Sequence, residues 1–510
     1  MSDIVLTTLN AKFSHAAFGL RYLFANLGEL QPRAVIAEFD INQRPLEIAE
    51  KILARNPKIL GLGIYIWNVA ETAEVISAVK KVRPEIKIIL GGPEVSYETA
   101  GQGMVDLADH VITGEADLKF SEVCRALLKP NPDEPLPKII VAELPEFPRL
   151  QLPYDFYTEA DIAHRIVYVE ASRGCPFTCE FCLSSLDIPV RQVPLDKFLA
   201  AMQKLLDRGL KQFKFVDRTF NLNILTSKAL LEFFLARYQP GMFFHFEMIP
   251  DRLPAELRAV IAKFPPGSLQ FEVGIQTFNP EVGSLISRRQ NYDRLTENFQ
   301  FLRQETSVHI HADLIVGLPG ETVDSFGAGF DRLIALGPQE IQIGILKRLR
   351  GTPIIRHDAE WQMVYNAHPP YDILQNRLID FATMQRLRRF AKYWDLIGNS
   401  GNFVATLPLV WRDGSPFASF FRFSDWLYAQ LGRTDTIALV RLAEKLFEFL
   451  TAELNHEAGL AAEKLWLDWQ RGGHRDPPEK IRAFLEDASA ARPRANKSAL
   501  PKRQARHLAV

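Results

Sequence analysis

Residues 165–182 read RIVYVEASRGCPFTCEFC, an apolar strand pattern followed directly by three closely spaced cysteines. Cys175, Cys179 and Cys182 are three of the four cysteines in 510 residues, so a metal site is expected rather than a disulfide framework. Thiolates are the usual ligands of iron–sulfur clusters. Three thiolates on one loop can bind three irons of a 4Fe-4S cluster and leave the fourth iron open to another ligand.

A structural zinc site is the alternative interpretation of these cysteines. Zinc takes four ligands, usually as two separated pairs. The fourth ligand would have to be Cys124, which lies on a predicted helix of another domain, or a histidine. The spacing therefore favours the iron–sulfur cluster.

The cysteines stand near the start of a region, residues 161–355, in which strand and helix patterns alternate. Its six strand candidates are RIVYVEAS, QFKFVD, FFHFEMI, LQFEVGIQ, VHIHADLIVG and EIQIGIL. Six strand–helix units are too few for a closed eight-unit barrel, so the sequence predicts a partial (β/α)6 barrel. Its active site is expected at the carboxyl ends of the strands.

Residues 1–128 also alternate between strands and helices. Continuous apolar strands predict a doubly wound parallel sheet that is covered by helices on both faces. Ligands of such sheets bind at the carboxyl ends of the strands. Those ends read LNAKFSH, YIWN, GGPEV and TGEAD.

The remaining segments carry weaker signals. A proline-rich linker is predicted over 129–160, a mainly helical domain over 356–487 and a basic disordered tail over 488–510. The formal net charge of −1 gives no overall attraction to nucleic acid or membranes. The first residues read as a strand rather than a signal peptide, and no apolar run is long enough to span a bilayer, so a cytoplasmic protein is expected.

The cysteine pattern and three later motifs resemble the radical S-adenosylmethionine (SAM) superfamily. The motifs are EVGIQT at 272–277, DLIVGLPGET at 313–322 and LRGTP at 349–353. The resemblance implies that the cluster cleaves SAM reductively and that certain side chains contact SAM. These are Phe181, Asp217, Glu272, Gln276, Ile315, Gly317 and Pro319. Asp217 is equally well explained as a strand-end cap. For Glu272 and Gln276 the alternative is a hydrogen-bonded polar residue inside the barrel, but contact with the cofactor is favoured.

A doubly wound domain ahead of such a barrel resembles the cobalamin-binding members of that superfamily. The predicted cobalamin contacts are Tyr65, Trp67, Asn68, Gly91, Gly92, Gly114 and Glu115. His15 lies where some cobalamin proteins carry a cobalt-ligating histidine, but the neighbouring aspartate is replaced by Phe13, so a hydrogen-bonding loop residue is favoured. A vestigial domain without cobalamin is the alternative. Residues 369–372 and 399–403 resemble the C-terminal domain of an uncharacterised subgroup.

Three functions follow as hypotheses. The first is cobalamin-dependent methylation of a carbon centre in a small molecule or peptide. The second is a cobalamin-assisted rearrangement or cyclisation without methyl transfer, and the third is a non-catalytic iron–sulfur redox sensor or RNA-binding protein. Methylthiolation of RNA is disfavoured because Cys124 stands alone in the N-terminal domain. A reducing partner such as flavodoxin or ferredoxin is expected, with no membrane and no nucleic-acid partner, and no catalytic side chain is assigned beyond the cluster ligands.

Overall fold

The computed structural model describes residues 2–129, 135–412, 414–485 and 502–508. The chain divides into two compact units. The first unit consists of Met1–Arg218, Lys347–Pro353 and Asn366–Tyr371. The second consists of Thr219–Leu346, Ile354–Tyr365 and Asp372–Val510.

The first unit begins with a six-stranded parallel sheet in the order β2-β1-β3-β4-β5-β6. The strands are β1 (Ile4–Asn10), β2 (Ala34–Asp40), β3 (Ile59–Gly63), β4 (Lys87–Gly91), β5 (His110–Thr113) and β6 (Ile139–Val141). The helices are α1 (Phe18–Ala25), α2 (Pro45–Leu53), α3 (Val69–Val82), α4 (Gly103–Leu107) and α5 (Lys119–Leu127). Short 3-10 helices lie at Gly28–Arg33 and Pro93–Val95.

Helices cover both faces of this sheet, which is why its strands are apolar at successive positions. On β1, Ile4 and Leu6 pack in one hydrophobic cluster with α1 and α5. Val5 and Leu9 point the other way, into a cluster with α2 and α3. The predicted doubly wound sheet is therefore confirmed.

Strand β6 lies inside the segment 129–160 that the prolines predict to be a linker. It pairs in parallel with β5, and Val111 lies opposite Ile139. Proline disrupts strands only locally, so the apolar run between Pro137 and Pro145 still forms the edge of the sheet. The described part of that segment is thus partly regular structure rather than a simple linker.

The first unit continues with the cysteine region. Its elements are α6 (Glu159–His164), β7 (Val167–Val169), β8 (Ser172–Arg173), β9 (Arg191–Gln192), α7 (Leu195–Asp207) and β10 (Gln212–Phe215), with 3-10 helices at Phe147–Arg149, Tyr154–Phe156 and Leu183–Leu186. Strands β7 and β10 pair in parallel, and β8 and β9 form an antiparallel pair.

The second unit holds four consecutive parallel strands and the helices between them. The strands are β11 (Phe243–Met248), β12 (Leu269–Gln276), β13 (His309–Val316) and β14 (Glu340–Ile345). The helices are α8 (Ile224–Ala236), α9 (Ala255–Ile261), α10 (Pro280–Leu285), α11 (Tyr292–Glu305) and α12 (Val323–Leu336). With β7 and β10, the chain therefore has the six strand–helix units expected of the partial barrel.

The C-terminal part of the second unit is mainly helical, as predicted. Strands β15 (Val364–Tyr365) and β16 (Ile373–Gln375) form an antiparallel pair, and 3-10 helices lie at Pro353–His357 and Leu407–Val410. The helices are α13 (Phe381–Ile397), α14 (Pro416–Leu431), α15 (Leu439–Glu448), a π-helix (Phe449–Glu453), α16 (Ala458–Arg471), α17 (Glu479–Arg482) and α18 (Lys502–Leu508). Aromatic side chains of α13 and α14 pack edge-to-face, with Trp394 and Phe420 at 4.9 Å between ring centroids.

Helix α18 corrects the prediction of a disordered tail over 488–510. Arg503 forms ion pairs with Glu340 at 3.0 Å and with Asp395 at 2.7 Å. A basic run without nearby acidic residues predicts a solvated tail. The acidic partners of Arg503 lie more than 100 residues earlier in the sequence, so the local pattern does not show them. The rest of that segment lies outside the described residues.

Candidate functional site

The three clustered cysteines lie on the loop between β8 and β9. Cys175 and Cys179 are buried and Cys182 is half-buried. The amide of Cys175 donates to the carbonyl of Asp187 at 3.1 Å, and that of Cys182 donates to the carbonyl of Cys179 at 3.1 Å. None of the chain's four cysteines, all of which the structure describes, forms a disulfide.

Gly174 sets the path of this loop. Its φ is +89°, and a Cβ there would lie 2.7 Å from the carbonyl oxygen of Asp187 and 3.0 Å from that of Pro189. Only glycine combines this conformation with so close an approach of two backbones. The loop is therefore shaped by contacts of its own chain before any cofactor binds.

The donor set fits a 4Fe-4S cluster. Each of three thiolates on one loop would bind a different iron, so the thiols need not converge on one point. Among the described residues, no three histidine, cysteine, aspartate or glutamate side chains are arranged to hold a single metal ion. Mononuclear zinc would require four ligands around one point.

Asp217 and Phe181 are the predicted SAM contacts in the first unit. Phe181 is half-buried beside Cys182. Asp217 is buried, and its carboxylate accepts hydrogen bonds from the amide of Ala171 at 3.0 Å and the hydroxyl of Ser172 at 2.6 Å. Burial raises the pKa of Asp217 to about 6. In the protein alone, Asp217 thus holds the backbone that leads into the cysteine loop.

The predicted contacts Glu272, Gln276 and Ile315 belong to the second unit and share one face of its sheet. Towards the carboxyl ends of β12 and β13, every second residue is half-buried while its neighbours are buried. The half-buried residues are Glu272, Gly274, Gln276, His311, Asp313 and Ile315. In this register Glu272 lies opposite His311 and Gly274 opposite Asp313. The face therefore combines four polar side chains with Gly274 and Ile315, and a few placed polar groups are typical of a ligand site.

Gln276 has a strained backbone at the end of β12. Its φ is +73°, and the register with β13 shifts between Gly274 and Gln276. The side-chain Nε2 atom of Gln276 lies 2.6 Å from the position that a Cβ on Gly274 would take. A glycine at position 274 therefore leaves space for the Gln276 side chain. Strain of this kind is concentrated at functional sites.

Glu272 has a protein partner on the same face. The Nε2 atom of His245 lies 2.9 Å from its carboxylate. Glu272 is therefore a hydrogen-bonded polar residue in the protein alone, as one of the two interpretations holds. A second ligand of the carboxylate is compatible with this contact because a carboxylate has several acceptor sites.

Gly317 and Pro319 lie in the buried turn after β13. Gly317 has φ +91°, and a Cβ there would lie 2.7 Å from the Cγ2 atom of Ile373. Asn376 donates to the Gly317 carbonyl at 3.4 Å. The turn is thus fixed by its neighbours in the second unit.

Glu321 follows this turn, and the pKa of its carboxyl depends on how deeply the side chain is buried. Its carboxylate accepts from the Thr277 hydroxyl at 2.6 Å, and burial raises its pKa from 4.5 to about 7. A carboxyl with a higher pKa in the folded state destabilises the fold once it ionises. The unfolding free energy of Glu321→Gln should therefore match the wild type below about pH 4.5 and exceed it by up to ~3 kcal/mol above pH 7.

Denaturant unfolding at a series of pH values measures this difference. Glu305→Gln, at the exposed end of α11, is the matched control and should give no such pH-dependent difference. A constant difference between Glu321→Gln and the wild type across the pH range would contradict the predicted effect of burial.

A cavity of about 240 Å³ opens at the carboxyl ends of the strands in the N-terminal sheet. Five of the seven predicted cobalamin contacts line it: Tyr65, Gly91, Gly92, Gly114 and Glu115. Gly61 and Gly63 of β3 also line it. At Gly91 the nearest atom to a Cβ position is 3.7 Å away, so the missing side chain lets a ligand approach the backbone, and the cavity fits part of a cobalamin molecule.

Trp67 and Asn68 do not line this cavity. The ring of Trp67 stacks on Tyr65 with centroids 4.6 Å apart, and the indole N–H donates to the Leu9 carbonyl. The buried amide of Asn68 donates to strand-end groups, including the Gly63 carbonyl at 3.1 Å. The predicted direct contact of Asn68 is therefore not supported, since its hydrogen bonds hold the strand ends together.

His15 lies in the loop between β1 and α1. Its Nδ1 atom forms a short hydrogen bond with the hydroxyl of Tyr168, and its carbonyl accepts from Arg165. His15 is not among the residues that line the cavity. In the protein alone His15 is a hydrogen-bonding loop residue, which is the favoured interpretation.

Sequence reasoning missed Arg173. Arg173 directly precedes Gly174, yet its side chain lines the cavity together with Asp117. Nothing in the local pattern shows where an arginine at a strand end points. Gly61 and Gly63 were detectable, because two glycines inside a buried strand indicate a close approach of another group.

Within the described residues, every helix is too short or too polar to cross a lipid bilayer.

Three family models match the chain in succession. The B12 binding domain matches residues 4–124, the radical SAM superfamily matches 169–333 and a protein family of unknown function, DUF4080, matches 359–506. The first match covers the glycine-lined cavity and the second begins just before the cysteine loop.

Individual relatives agree with these matches. "Uncharacterized methyltransferase PH0819" of Pyrococcus horikoshii is 25% identical over 332 residues, which cover 60% of this chain and 70% of that protein. The cobalamin-dependent radical SAM methyltransferase TokK of Streptomyces tokunonensis is 23% identical and covers 59% of this chain, which spans 48% of TokK. The structure of the cobalamin-dependent S-adenosylmethionine radical enzyme OxsB has the same fold, with a TM-score of 0.60, 11% identity and coverage of 91% of this chain and 83% of that chain. The chain thus carries a B12 binding domain, a radical SAM domain and a DUF4080 domain in succession, and it is a radical SAM enzyme whose cofactors are a 4Fe-4S cluster, SAM and cobalamin.

Proposed function

We propose that this enzyme methylates a carbon centre of a small molecule or peptide. When bound, the cluster supplies the electron that cleaves SAM, and cobalamin supplies a carrier for the methyl group. The observation that carries the proposal is the presence of a glycine-lined cavity and the cysteine loop in one compact unit. Arg173 belongs to both, because its side chain lines the cavity and its backbone leads into the loop.

The first unit supplies the proposed ligands of two cofactors. The cluster would be held by Cys175, Cys179 and Cys182. Cobalamin would contact the cavity residues Tyr65, Gly91, Gly92, Gly114 and Glu115, and Trp67 would support Tyr65 by stacking. The half-buried ring of Tyr65 lines the cavity, and desolvation raises the pKa of its hydroxyl, so the hydroxyl stays a neutral hydrogen-bonding group.

The SAM contacts are proposed in two sets. In the first unit, Phe181 lies within the cysteine loop, and Asp217 accepts a hydrogen bond from Ser172 just before that loop. Glu272, Gln276, Ile315, Gly317 and Pro319 follow one face of β12 and β13 and the turn after β13 in the second unit. Support comes from the strained backbone of Gln276 and from the polarity of that face.

The names of two relatives support methyl transfer over other cobalamin chemistry. PH0819 and TokK are both described as methyltransferases. Because the chain spans about half of TokK, the substrate does not follow from this likeness. We therefore propose the reaction class and leave the acceptor to experiment.

The test uses SAM with an isotopically labelled methyl group. Full-length protein is reconstituted anaerobically with iron, sulfide and hydroxocobalamin, reduced, and incubated with a small-molecule and peptide extract. Methylation predicts S-adenosylhomocysteine, 5′-deoxyadenosine and a product that carries the label. Cys179→Ala is the control and should yield no 5′-deoxyadenosine. A modified product without label, formed with 5′-deoxyadenosine alone, would contradict methylation and favour a rearrangement or cyclisation.

A further inference from the structure

Arg173 binds three carboxylates with one guanidinium. Its Nη1 atom lies 2.9 Å from Glu115 and 2.9 Å from Asp117, and its Nε atom lies 2.8 Å from Glu170. Glu115 and Asp117 belong to the loop after β5 that lines the cavity, and Glu170 follows β7. The planar fork of arginine suits such multiple pairing, which lysine cannot reproduce.

Aromatic rings fix the orientation of this guanidinium. Its central carbon lies 4.4 Å from the ring centroid of Tyr22 and 5.3 Å from that of Phe147. The side chain is 14% exposed. A buried arginine held by both rings and carboxylates has few alternative positions, so a shift of its partners shifts Arg173 as well.

A second path joins the same cavity wall to the cysteine loop. Glu115 also accepts from Arg191 at 3.1 Å, and Arg191 binds the carboxylate of Asp187 at 3.0 Å. The carbonyl of Asp187 in turn accepts the amide of Cys175. Glu115 is therefore linked to the first cysteine from both sides, through Arg173 and through Arg191.

We propose that Arg173 is a positioning residue that couples the cavity to the cluster loop, so that cobalamin binding and cluster assembly favour each other. The inference rests on the proposed function, since it takes the cavity as the cobalamin site. A ligand that fills the cavity restrains the loop of Glu115 and Asp117. Through Arg173 that restraint reaches Gly174 and Cys175, and linkage requires the reverse effect to be equally large.

The experiment measures the affinity for hydroxocobalamin by absorption, anaerobically, on full-length protein with and without the reconstituted cluster. Wild-type protein should bind at least ~5-fold more tightly when it holds the cluster. In Arg173→Lys the ratio of the two affinities should fall towards one. Asp117→Asn weakens the same contact from the cavity side, without altering the cysteine loop, and should also lower the ratio. Arg125→Lys, a surface arginine paired with Glu29, is the control and should keep the wild-type ratio.

The outcomes separate this inference from the function on which it rests. Iron content and circular dichroism establish that each variant is folded and loaded. Wild-type protein that binds hydroxocobalamin equally well with and without the cluster would overturn the coupling, as would a wild-type ratio in both Arg173→Lys and Asp117→Asn. Wild-type protein that binds no hydroxocobalamin in either form would instead overturn the assignment of the cavity.

Discussion

After reconstitution, Cys179→Ala protein will contain less iron than the wild type, for which about four irons per chain are expected, and it will not cleave SAM. The same result is expected for Cys175→Ala and Cys182→Ala. Each thiolate would bind a different iron, so the loss of one would leave the cluster with two protein ligands. Iron is measured by elemental analysis, and cleavage by the release of 5′-deoxyadenosine under reductant.

Cys124→Ala is the matched control for these variants. Cys124 is buried in α5, and burial raises the pKa of its thiol to about 12, so it remains protonated and is a poor metal ligand. Iron content and SAM cleavage should match the wild type. Full iron content in Cys182→Ala, or zinc in place of iron in the wild type, would refute the assignment of the three cysteines.

Gly91→Leu should reduce the affinity for hydroxocobalamin by about 100-fold, equivalent to ~2.7 kcal/mol. Gly91 ends β4, and a Cβ there meets its nearest atom, the Ile112 carbonyl oxygen, at 3.7 Å. The backbone therefore tolerates a side chain, and the leucine fills the cavity. Gly92 would be a poorer choice, because its φ is +107° and a Cβ would lie 2.5 Å from the Ile64 carbonyl.

The measurement is a titration of purified protein with hydroxocobalamin, followed by absorption after gel filtration. Gly103→Leu at the start of α4 is the control, since no atom lies within 4 Å of its Cβ position and it is remote from the cavity lining. When both proteins are reconstituted without cobalamin, the iron content of Gly91→Leu should match that of the wild type. Wild-type affinity in Gly91→Leu would mean that cobalamin does not enter this cavity.

The strands and the cysteine loop could be predicted from the sequence because each depends on residues that are close together in the chain. Buried strands such as β3 are continuous apolar runs, and the alternation along β12 places Glu272 and Gln276 on one face. The cysteine spacing is likewise local, because the three residues share one loop. These features were accessible because the period of a strand and the length of a loop are properties of neighbouring residues.

Features that depend on distant partners were not accessible in the same way. The interior position of Arg173 follows from Glu115 and Asp117, more than fifty residues earlier. Asn68 is a second example. In sequence, an asparagine that contacts a ligand looks the same as one whose buried amide forms hydrogen bonds between strand ends. The positive charge of the C-terminal segment is evident from the sequence. The acidic residues that form ion pairs with it, Glu340 and Asp395, are not.

Helix α18 has a consequence for synthesis of the chain. The amide of Gln504 donates to Gln270 at the start of β12, 234 residues earlier. At about 5–20 residues per second, a ribosome needs roughly 10–50 seconds to make that intervening length. During this interval the nascent strands lack the helix that contacts their amino-terminal ends. The second unit therefore completes its packing only after α18 has been made.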